Sequence, residues 1–341
     1  MAQTRQDAGG ASFAALDLGT NNCRLLIATP TSDGFTVVDA FSRIVRLGEG
    51  MGDPEDPLIL SEPAMRRTVK ALRVCAGKMR RRGVHAARCV ATEACRRAAN
   101  ARGFLRRVKR QTGLDLEVIT CAEEAELAVA GCSPLIDPKA NHALIFDIGG
   151  GSTELTWVDL SGERSEILGA QSIPCGVITL AERFGRDQFT LEEYDAMIRH
   201  IADMIAPFEE RHQVGRAIRD GGVQMIGTSG TVTTLAGVDM DLPRYDRARV
   251  DGTALGFDRV THVSRELASL DLNGRAAHPC IGRNRADLVV GGCALLEAMC
   301  QTWPVGALTV ADRGVREGIL YDLIAADRQA TRDGPSHNTV S

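Results

Sequence analysis

Apolar runs that end in an acidic residue and a glycine turn recur along this chain. One run covers residues 143–146, and its length and lack of polar residues are typical of a strand in a covered sheet. Asp147 and the glycines of 149–151 follow directly, and residues 152–158 then resume with alternating β-formers. This order predicts a strand, a tight turn and a return strand. A purely structural hairpin has the same pattern, so one copy does not by itself indicate a function.

The same order occurs near the N-terminus, where the apolar run 13–16 leads into Asp17 and Gly19. In both copies a leucine, Leu25 or Leu155, follows the aspartate by eight residues. Such a repeat predicts two similar half-domains that face one cleft, each with a phosphate loop and a carboxylate. The glycines of these turns allow positive φ and let backbone N–H groups approach a ligand closely.

The hydrophobic pattern predicts further elements around the two hairpins. Strands are expected at 23–29, 35–41, 87–91, 116–119, 164–173, 223–226 and 306–310. Helices are expected after Ser61 as N-cap, after Thr120, near 176–184, 191–212, 257–270 and 286–301, and in a last segment that ends at about 326. A third turn of glycines and hydroxyls at 227–231 leads into a helix, whose first backbone amides would form an anion site.

Composition limits the class of protein. A chain of 341 residues suits two domains better than one core. Its 44% hydrophobic and 25% charged residues are those of a soluble globular protein, and its net charge of −4 favours neither nucleic-acid nor membrane-surface binding. No stretch has about 20 apolar residues and residues 1–10 lack an apolar segment, which predicts no membrane span, no signal peptide and a cytoplasmic location. The polar segments 1–11 and 328–341 are expected to be disordered tails.

The ten cysteines and seven histidines do not form a recognisable metal motif. No two cysteines have C-x-x-C spacing, and most lie in apolar surroundings, which predicts free, buried thiols in a reducing compartment. The histidines are scattered without ligand spacing, so a zinc site is not expected.

Residues 66–110 are strongly basic, with sixteen lysines and arginines against one acid, Glu93. Such a block on folded helices predicts an electrostatic funnel for a polyanion, although a solvated basic helix surface would have the same composition. Arg96 follows a strand and a turn, where its side chain can point into a cleft. Phe104 is the one Phe, Tyr or Trp of the block, which therefore lacks a series of aromatic residues for base stacking, so nucleic acid is the weaker polyanion candidate.

Three acids, Glu123, Glu124 and Glu126, lie at the start of the helix that follows Thr120. Acids in a first helical turn interact favourably with the helix dipole, which is a sufficient structural explanation. The functional alternative makes one of them a catalytic base at the cleft. Spacing alone does not choose among the three residues.

Taken together in chain order, these motifs resemble those of the Ppx/GppA phosphatase family, which comprises exopolyphosphatases and guanosine pentaphosphatases. The matching segments are 17–22, 46–50, 91–100, 123–125, 147–154, 227–231 and 312–318. The resemblance implies an α/β fold of two RNase-H-like domains, of the actin-like ATPase type, each with a mixed sheet flanked by helices. We expect these domains at 12–135 and 136–327, an active-site cleft between them, and a last helix that packs back on the first domain.

The resemblance also implies roles for individual residues. Glu124 matches the general base, Asp147 an acid that holds Mg²⁺ or orients water, Glu154 a further acid near the metal, and Arg96 an arginine that contacts the phosphate. Mg²⁺ or Mn²⁺ is the expected cofactor, with Asp17, Asp147 and Glu154 as its ligands. The expected phosphate-binding residues are Gly19, Thr20, Asn21, Asn22, Gly149, Gly150, Gly151, Ser152 and Gly230.

The function that follows is hydrolysis of the terminal phosphoanhydride of inorganic polyphosphate by a water that Glu124 activates. Removal of the 5′ γ-phosphate of guanosine pentaphosphate is the nearest alternative. An ATP-dependent kinase or ATPase of the same fold and a non-catalytic regulator that binds an alarmone or polyphosphate are further alternatives. The resemblance implies a homodimer, with no nucleic-acid or membrane partner.

Overall fold

The computed structural model describes residues 11–51 and 58–332, and its first sheet has five strands. The strands are β1 (Ser12–Leu18), β2 (Asn22–Thr31), β3 (Gly34–Ile44), β4 (Val84–Ala91) and β5 (Glu117–Val118), in the spatial order β3-β2-β1-β4-β5. Strands β1, β2 and β3 form an antiparallel meander, and β4 and β5 continue the sheet in parallel to β1.

The second sheet repeats this arrangement. Its strands are β6 (His142–Ile148), β7 (Thr153–Asp159), β8 (Glu166–Ile173), β9 (Val223–Thr228), β10 (Ala254–Gly256) and β11 (Ala307–Ala311), in the order β10-β11-β9-β6-β7-β8. Strands β6, β7 and β8 form the meander, β9 and β11 run parallel to β6, and β10 is an antiparallel edge. The predicted α/β class, with two mixed sheets flanked by helices, is confirmed.

Thirteen α-helices lie within the described residues, besides a short 3-10 helix at Ser133–Leu135. They are α1 (Glu62–Arg81), α2 (Glu93–Arg97), α3 (Ala101–Thr112), α4 (Cys121–Cys132), α5 (Val177–Phe184), α6 (Leu191–His212), α7 (Val214–Asp220), α8 (Gly230–Asp239), α9 (Arg247–Val250), α10 (Phe257–Ser269), α11 (Leu272–Ala277), α12 (Val289–Thr302) and α13 (Val315–Arg332). Ser61 caps α1 as predicted, because its hydroxyl accepts from the Ala64 amide at 3.3 Å. None of the described helices is long and apolar enough to cross a bilayer.

Helices α4 and α13 pack against each other and against the first sheet. Apolar residues of α13 such as Ile319 and Ile324 share a buried cluster with Phe13 of β1 and Leu127 of α4. A Cβ atom on Gly318 would overlap the Leu127 carbonyl group. The two helix backbones therefore touch at glycine, and the last helix covers the first sheet.

The C-terminal helix is longer than the sequence predicted. We expected it to end near residue 326 and a disordered tail to begin at 328, but the helix continues to Arg332. Arg328 donates to the Thr31 carbonyl at 2.6 Å, which ties the extra turn to the end of β2. The other tail residues, 1–10 and 333–341, lie outside the described residues.

Candidate active site

Two hairpins of the same geometry face each other across a pocket between the sheets. Asp17 pairs with Arg24 across the β1–β2 hairpin, and Asp147 pairs with Glu154 across the β6–β7 hairpin. Strands β1 and β6 have the same order of buried and partly buried positions, and the aspartate is the next-to-last residue of each strand. All four of these side chains line the pocket, together with Glu124 from the first turn of α4.

The turns of the two hairpins are closed in the same way. The Gly19 amide donates to the Asn22 carbonyl at 2.9 Å, and the Gly149 amide donates to the Ser152 carbonyl at 2.9 Å. The turn glycines do not use the positive φ that glycine allows, because all glycines at positive φ within the described residues lie elsewhere in the chain. Small size is needed at Gly149, where a Cβ would lie 2.8 Å from the Ser152 carbonyl oxygen, and at Gly150, where it would lie 2.8 Å from the Asn21 Cβ of the facing hairpin.

Gly151 also contacts the facing hairpin. A Cβ on Gly151 would lie 3.0 Å from Cγ2 of Thr20, so Gly151 packs behind the pocket. Of the residues predicted from the sequence, Gly151 and Arg96 are the two that do not line the pocket itself. The pocket-lining members of the prediction are Asp17, Gly19, Thr20, Asn21, Asn22, Glu124, Asp147, Gly149, Gly150, Ser152, Glu154 and Gly230.

The third turn also reaches the pocket. Ser229 has a φ of 129°, a strained value for a residue other than glycine. Its hydroxyl caps α8 by accepting from the amides of Thr231 and Val232 at 3.1 and 3.3 Å. Gly230 and Thr231 then line the pocket at the start of this helix, where backbone amides are suited to an anion.

The pocket holds several carboxyl groups whose pKa values are raised. Burial raises the pKa of Glu124 well above its usual range, and the neighbouring Glu154 raises it further. Burial and the charge of Asp147 raise the pKa of Glu154 to about 7. Burial also raises the pKa values of Asp17 and Asp147, and in both cases the nearby Arg24 acts in the opposite direction. Perturbed carboxyl groups that converge in a cleft are typical of catalytic sites.

Arg96 lies behind Glu124 and contacts its carboxylate. One guanidinium nitrogen of Arg96 is 2.6 Å from a carboxylate oxygen of Glu124 and also donates to the Ile119 carbonyl. The other terminal nitrogen contacts Glu93 at 3.2 Å and lies 4.0 Å from Glu154. The guanidinium group is therefore placed to fix the position of Glu124, whereas the sequence predicted a contact with phosphate.

The basic block is more nearly neutral than its sequence suggested. Nine of its sixteen basic side chains lie within ion-pair distance of a carboxylate. These basic residues are Arg66, Arg67, Lys78, Arg82, Arg88, Arg96, Arg97, Arg107 and Lys109. Most of the carboxylates belong to residues outside 66–110. Asp39, for example, contacts Lys78 from β3 at 2.6 Å. The folded surface of these helices is thus a weaker attractor for polyanions than the local count of charges implied.

Two pocket arginines were not identified from the sequence. Arg24 could have been found, because strand alternation places it opposite Asp17 and on the same face. Arg285 lies in an irregular segment before α12, and no periodic signal marks it. One of its guanidinium nitrogens donates to the Thr234 hydroxyl at 2.8 Å, which holds the arginine at the pocket wall.

The donor atoms of the pocket fit a hard divalent cation that is shared with a phosphate ligand. The carboxylates of Asp17, Asp147 and Glu154 are the oxygen donors that Mg²⁺ prefers, and Oδ1 of Asn21 is buried without a hydrogen-bond partner among the described residues. Within residues 11–51 and 58–332, no three acidic, histidine or cysteine side chains converge tightly enough to cage a metal alone. This suits Mg²⁺, which usually keeps waters and substrate oxygens among its ligands.

Comparison with known proteins gives consistent matches along the chain. The model of the Ppx/GppA phosphatase family matches residues 26–326. A guanosine-5′-triphosphate,3′-diphosphate pyrophosphatase of Photobacterium profundum is 28% identical over 323 residues, which cover 93% of this chain and 60% of that relative. The chain thus spans about 60% of the length of this curated relative.

Solved structures show the same similarity. A crystal structure of an exopolyphosphatase from Cytophaga hutchinsonii superposes with a TM-score of 0.82 at 26% identity and covers 92% of this chain and 98% of its own. The Aquifex aeolicus member of the Ppx/GppA family has a TM-score of 0.73 at 27% identity, over 93% of this chain and 98% of its own.

Proposed function

The chain belongs to the Ppx/GppA phosphatase family, and we propose that it hydrolyses the terminal phosphoanhydride bond of inorganic polyphosphate. The observation that carries this proposal is the convergence of Glu124, Asp17 and Asp147 on one pocket that is bordered by two phosphate-loop hairpins. A carboxylate with a raised pKa beside a bound phosphate is suited to accept a proton from an attacking water.

In this proposal a water molecule attacks the terminal phosphorus atom, and Glu124 accepts the proton that the water loses. The new P–O bond forms as the bond to the bridging oxygen breaks, and the shortened polyphosphate departs with that oxygen. Thr20 lines the pocket, where its hydroxyl can donate to a phosphoryl oxygen, whereas the Ser152 hydroxyl donates to the Glu154 carboxylate at 2.5 Å. Arg24 and Arg285 add two positive charges, which stabilise the charge of the phosphoryl group in the transition state.

We propose that Asp17, Asp147 and Glu154 hold Mg²⁺ or Mn²⁺ together with oxygens of the substrate. A divalent cation bound there would neutralise charge on the transferred phosphoryl group. The carboxylates of these three residues would orient the substrate through their shared ligand, and Glu124 would remain free to act on water. We expect a chelator to abolish phosphate release and added Mg²⁺ to restore it.

The decisive variant is Glu124→Gln, with Glu123→Gln as its matched control. Both residues lie in the first turn of α4, but Glu123 contacts Arg88 outside the pocket. We expect Glu124→Gln to lower kcat for polyphosphate by about 10²- to 10⁴-fold, the usual contribution of a general base, and Glu123→Gln to stay near the wild type. A folded Glu124→Gln enzyme that releases phosphate at the wild-type rate would contradict the assignment.

Hydrolysis of guanosine pentaphosphate is the second candidate, because the Photobacterium profundum relative is named for that substrate. The ratio of kcat/KM for the two substrates at fixed Mg²⁺ decides between them. We also propose that the chain forms a homodimer, which the molar mass from light scattering would test.

A further inference from the structure

A second cavity opens beside the active-site pocket, and five arginines line it. Its volume is about 750 Å³, within the roughly 300–1,000 Å³ of small-molecule sites. The arginines come from three separate segments of the chain: Arg43 and Arg46 at the end of β3, Arg67 in α1, and Arg283 and Arg285 before α12. Among the described residues, no acidic side chain lines this arginine cavity. Such a convergence of guanidinium groups suits a ligand with several negative charges.

Part of this positive charge is already paired, and part is not. Arg46 contacts Asp287 at 2.9 Å and Arg67 contacts Glu49 at 2.8 Å, which fixes two sides of the cavity. Arg43 and Arg283 are exposed, and neither has a carboxylate within 4.0 Å in the part of the chain that the structure describes. The guanidinium of Arg43 rests over the Phe41 ring at 5.1 Å. These two exposed arginines therefore present charge to any anion in the cavity.

The arginine cavity continues the active-site pocket. Asn22, at the start of β2, and Arg285 line both spaces. Arg285 is held at this junction by its bond to Thr234 and lies 3.5 Å from the Gly230 carbonyl oxygen. The two cavities therefore adjoin at Asn22 and Arg285, so the arginine cavity lies next to the site of a linear anion whose end is between the two hairpins.

We propose that the arginine cavity binds the phosphate groups that follow the one being cleaved. This inference rests on the proposed function, because the reaction in the pocket defines where the end of the substrate lies. The ligand class is a flexible oligophosphate, whose repeated charges match guanidinium groups from three segments. Binding here would hold the remainder of the polymer while its end is hydrolysed, so affinity should increase with chain length.

The test uses the double variant Arg43→Gln/Arg283→Gln. Its matched control is Arg102→Gln/Arg106→Gln, which removes the same charge from exposed positions of α3 outside the cavity. KM and kcat are measured with long-chain polyphosphate and with tripolyphosphate over a range of salt concentrations. We expect KM for the long chain to rise about ten-fold in the cavity variant, with a shallower salt dependence. KM for tripolyphosphate should change far less, and the control should follow the wild type.

The outcomes separate this inference from the proposed function. Equal KM values and salt slopes for the cavity variant and the control, in an enzyme that hydrolyses polyphosphate, would overturn the inference alone. A larger effect on guanosine pentaphosphate than on polyphosphate would also overturn it and would assign the cavity to the nucleotide's 3′-diphosphate. If the wild type hydrolyses neither substrate, the proposed function fails. In that case the inference is tested by measuring equilibrium binding of long-chain polyphosphate to both double variants. Weaker binding by the cavity variant than by the control supports the inference, and equal binding refutes it.

Discussion

Replacing Arg96 by glutamine should move the acid limb of the pH–rate profile to higher pH. The guanidinium of Arg96 lies 2.6 Å from the Glu124 carboxylate, and the two side chains are only 15% and 12% exposed. Burial and Glu154 raise the pKa of Glu124, whereas Arg96 lowers it. Without the guanidinium, Glu124 would keep its proton to a higher pH. Because the proposed base is the ionised form of Glu124, activity should be lost as the pH falls through this pKa.

The size of the shift follows from the contact. An opposite charge within about 4–6 Å lowers the pKa of a carboxyl group by about 1–3. We therefore expect the acid limb of the kcat/KM profile of Arg96→Gln to shift to higher pH by at least about one unit. At a fixed pH on that limb, such a shift lowers kcat/KM roughly ten-fold. The rate should approach that of the wild type at alkaline pH, where Glu124 is ionised in both enzymes.

The assay is kcat/KM for polyphosphate from mildly acidic to alkaline pH, with Arg97→Gln as the control. Arg97 follows Arg96 in α2 and contacts Glu93 at 3.5 Å, and it makes no described bond to Glu124. The control should therefore keep the wild-type acid limb. If Arg96→Gln lowers the rate equally at every pH and leaves the limb in place, Arg96 acts on the phosphate, as the sequence predicted, and our positional assignment is refuted.

Three further substitutions, with Gly103→Ala as a control, test the pocket and its scaffold. Because the pKa of buried Glu154 is raised from 4.5 to about 7, its ionised form destabilises the fold. Glu154→Gln in EDTA should therefore increase the free energy of unfolding by about 3 kcal/mol above pH 7 and leave it unchanged below pH 4.5, as denaturant titration would measure. Gly150→Ala should lower both kcat and the melting temperature, since the new Cβ would lie 2.8 Å from the Asn21 Cβ and 3.0 Å from the Asn21 backbone nitrogen of the facing hairpin. Gly318→Ala should unfold at markedly lower denaturant because its Cβ would overlap the α4 backbone, whereas Gly103→Ala, in open space within α3, should stabilise by about 0.5–1 kcal/mol.

The elements that the sequence predicted well are those encoded by neighbouring residues. The two hairpins, the cap at Ser61 and the long helices α6 and α12 follow from period, turn and cap signals within a few residues. The short helices α2, α7, α9 and α11 were missed, because elements of four to seven residues have too few positions to show a period. The longer α3 was not predicted as a separate helix within the basic block of residues 66–110. Such short helices are set by the packing of their neighbours.

Features that depend on distant residues could not be predicted in the same way. Arg96 lies behind Glu124 because of a contact between residues that are 28 positions apart. The family resemblance implied a contact of Arg96 with phosphate and did not indicate this contact with Glu124. Arg285 reaches the pocket from a segment without periodicity. The partial neutralisation of the basic block likewise requires acids such as Asp39 and Glu49, which only the folded chain brings into contact with α1.

The repeated hairpin accounts for the two facing turns of the pocket, but the proposed hydrolysis depends on the residues at which the two copies differ. Each aspartate has a cross-strand partner, and that partner is Arg24 in the first copy and Glu154 in the second. Arg24 lowers the pKa values of both Asp17 and Asp147, while Glu154 adds a further buried acid beside Asp147. The first hairpin therefore places a guanidinium suited to phosphate oxygens beside its aspartate, whereas the second has two carboxylates suited to a divalent cation. A symmetric pair of hairpins would provide only one of these two surfaces, whereas phosphoanhydride hydrolysis uses both.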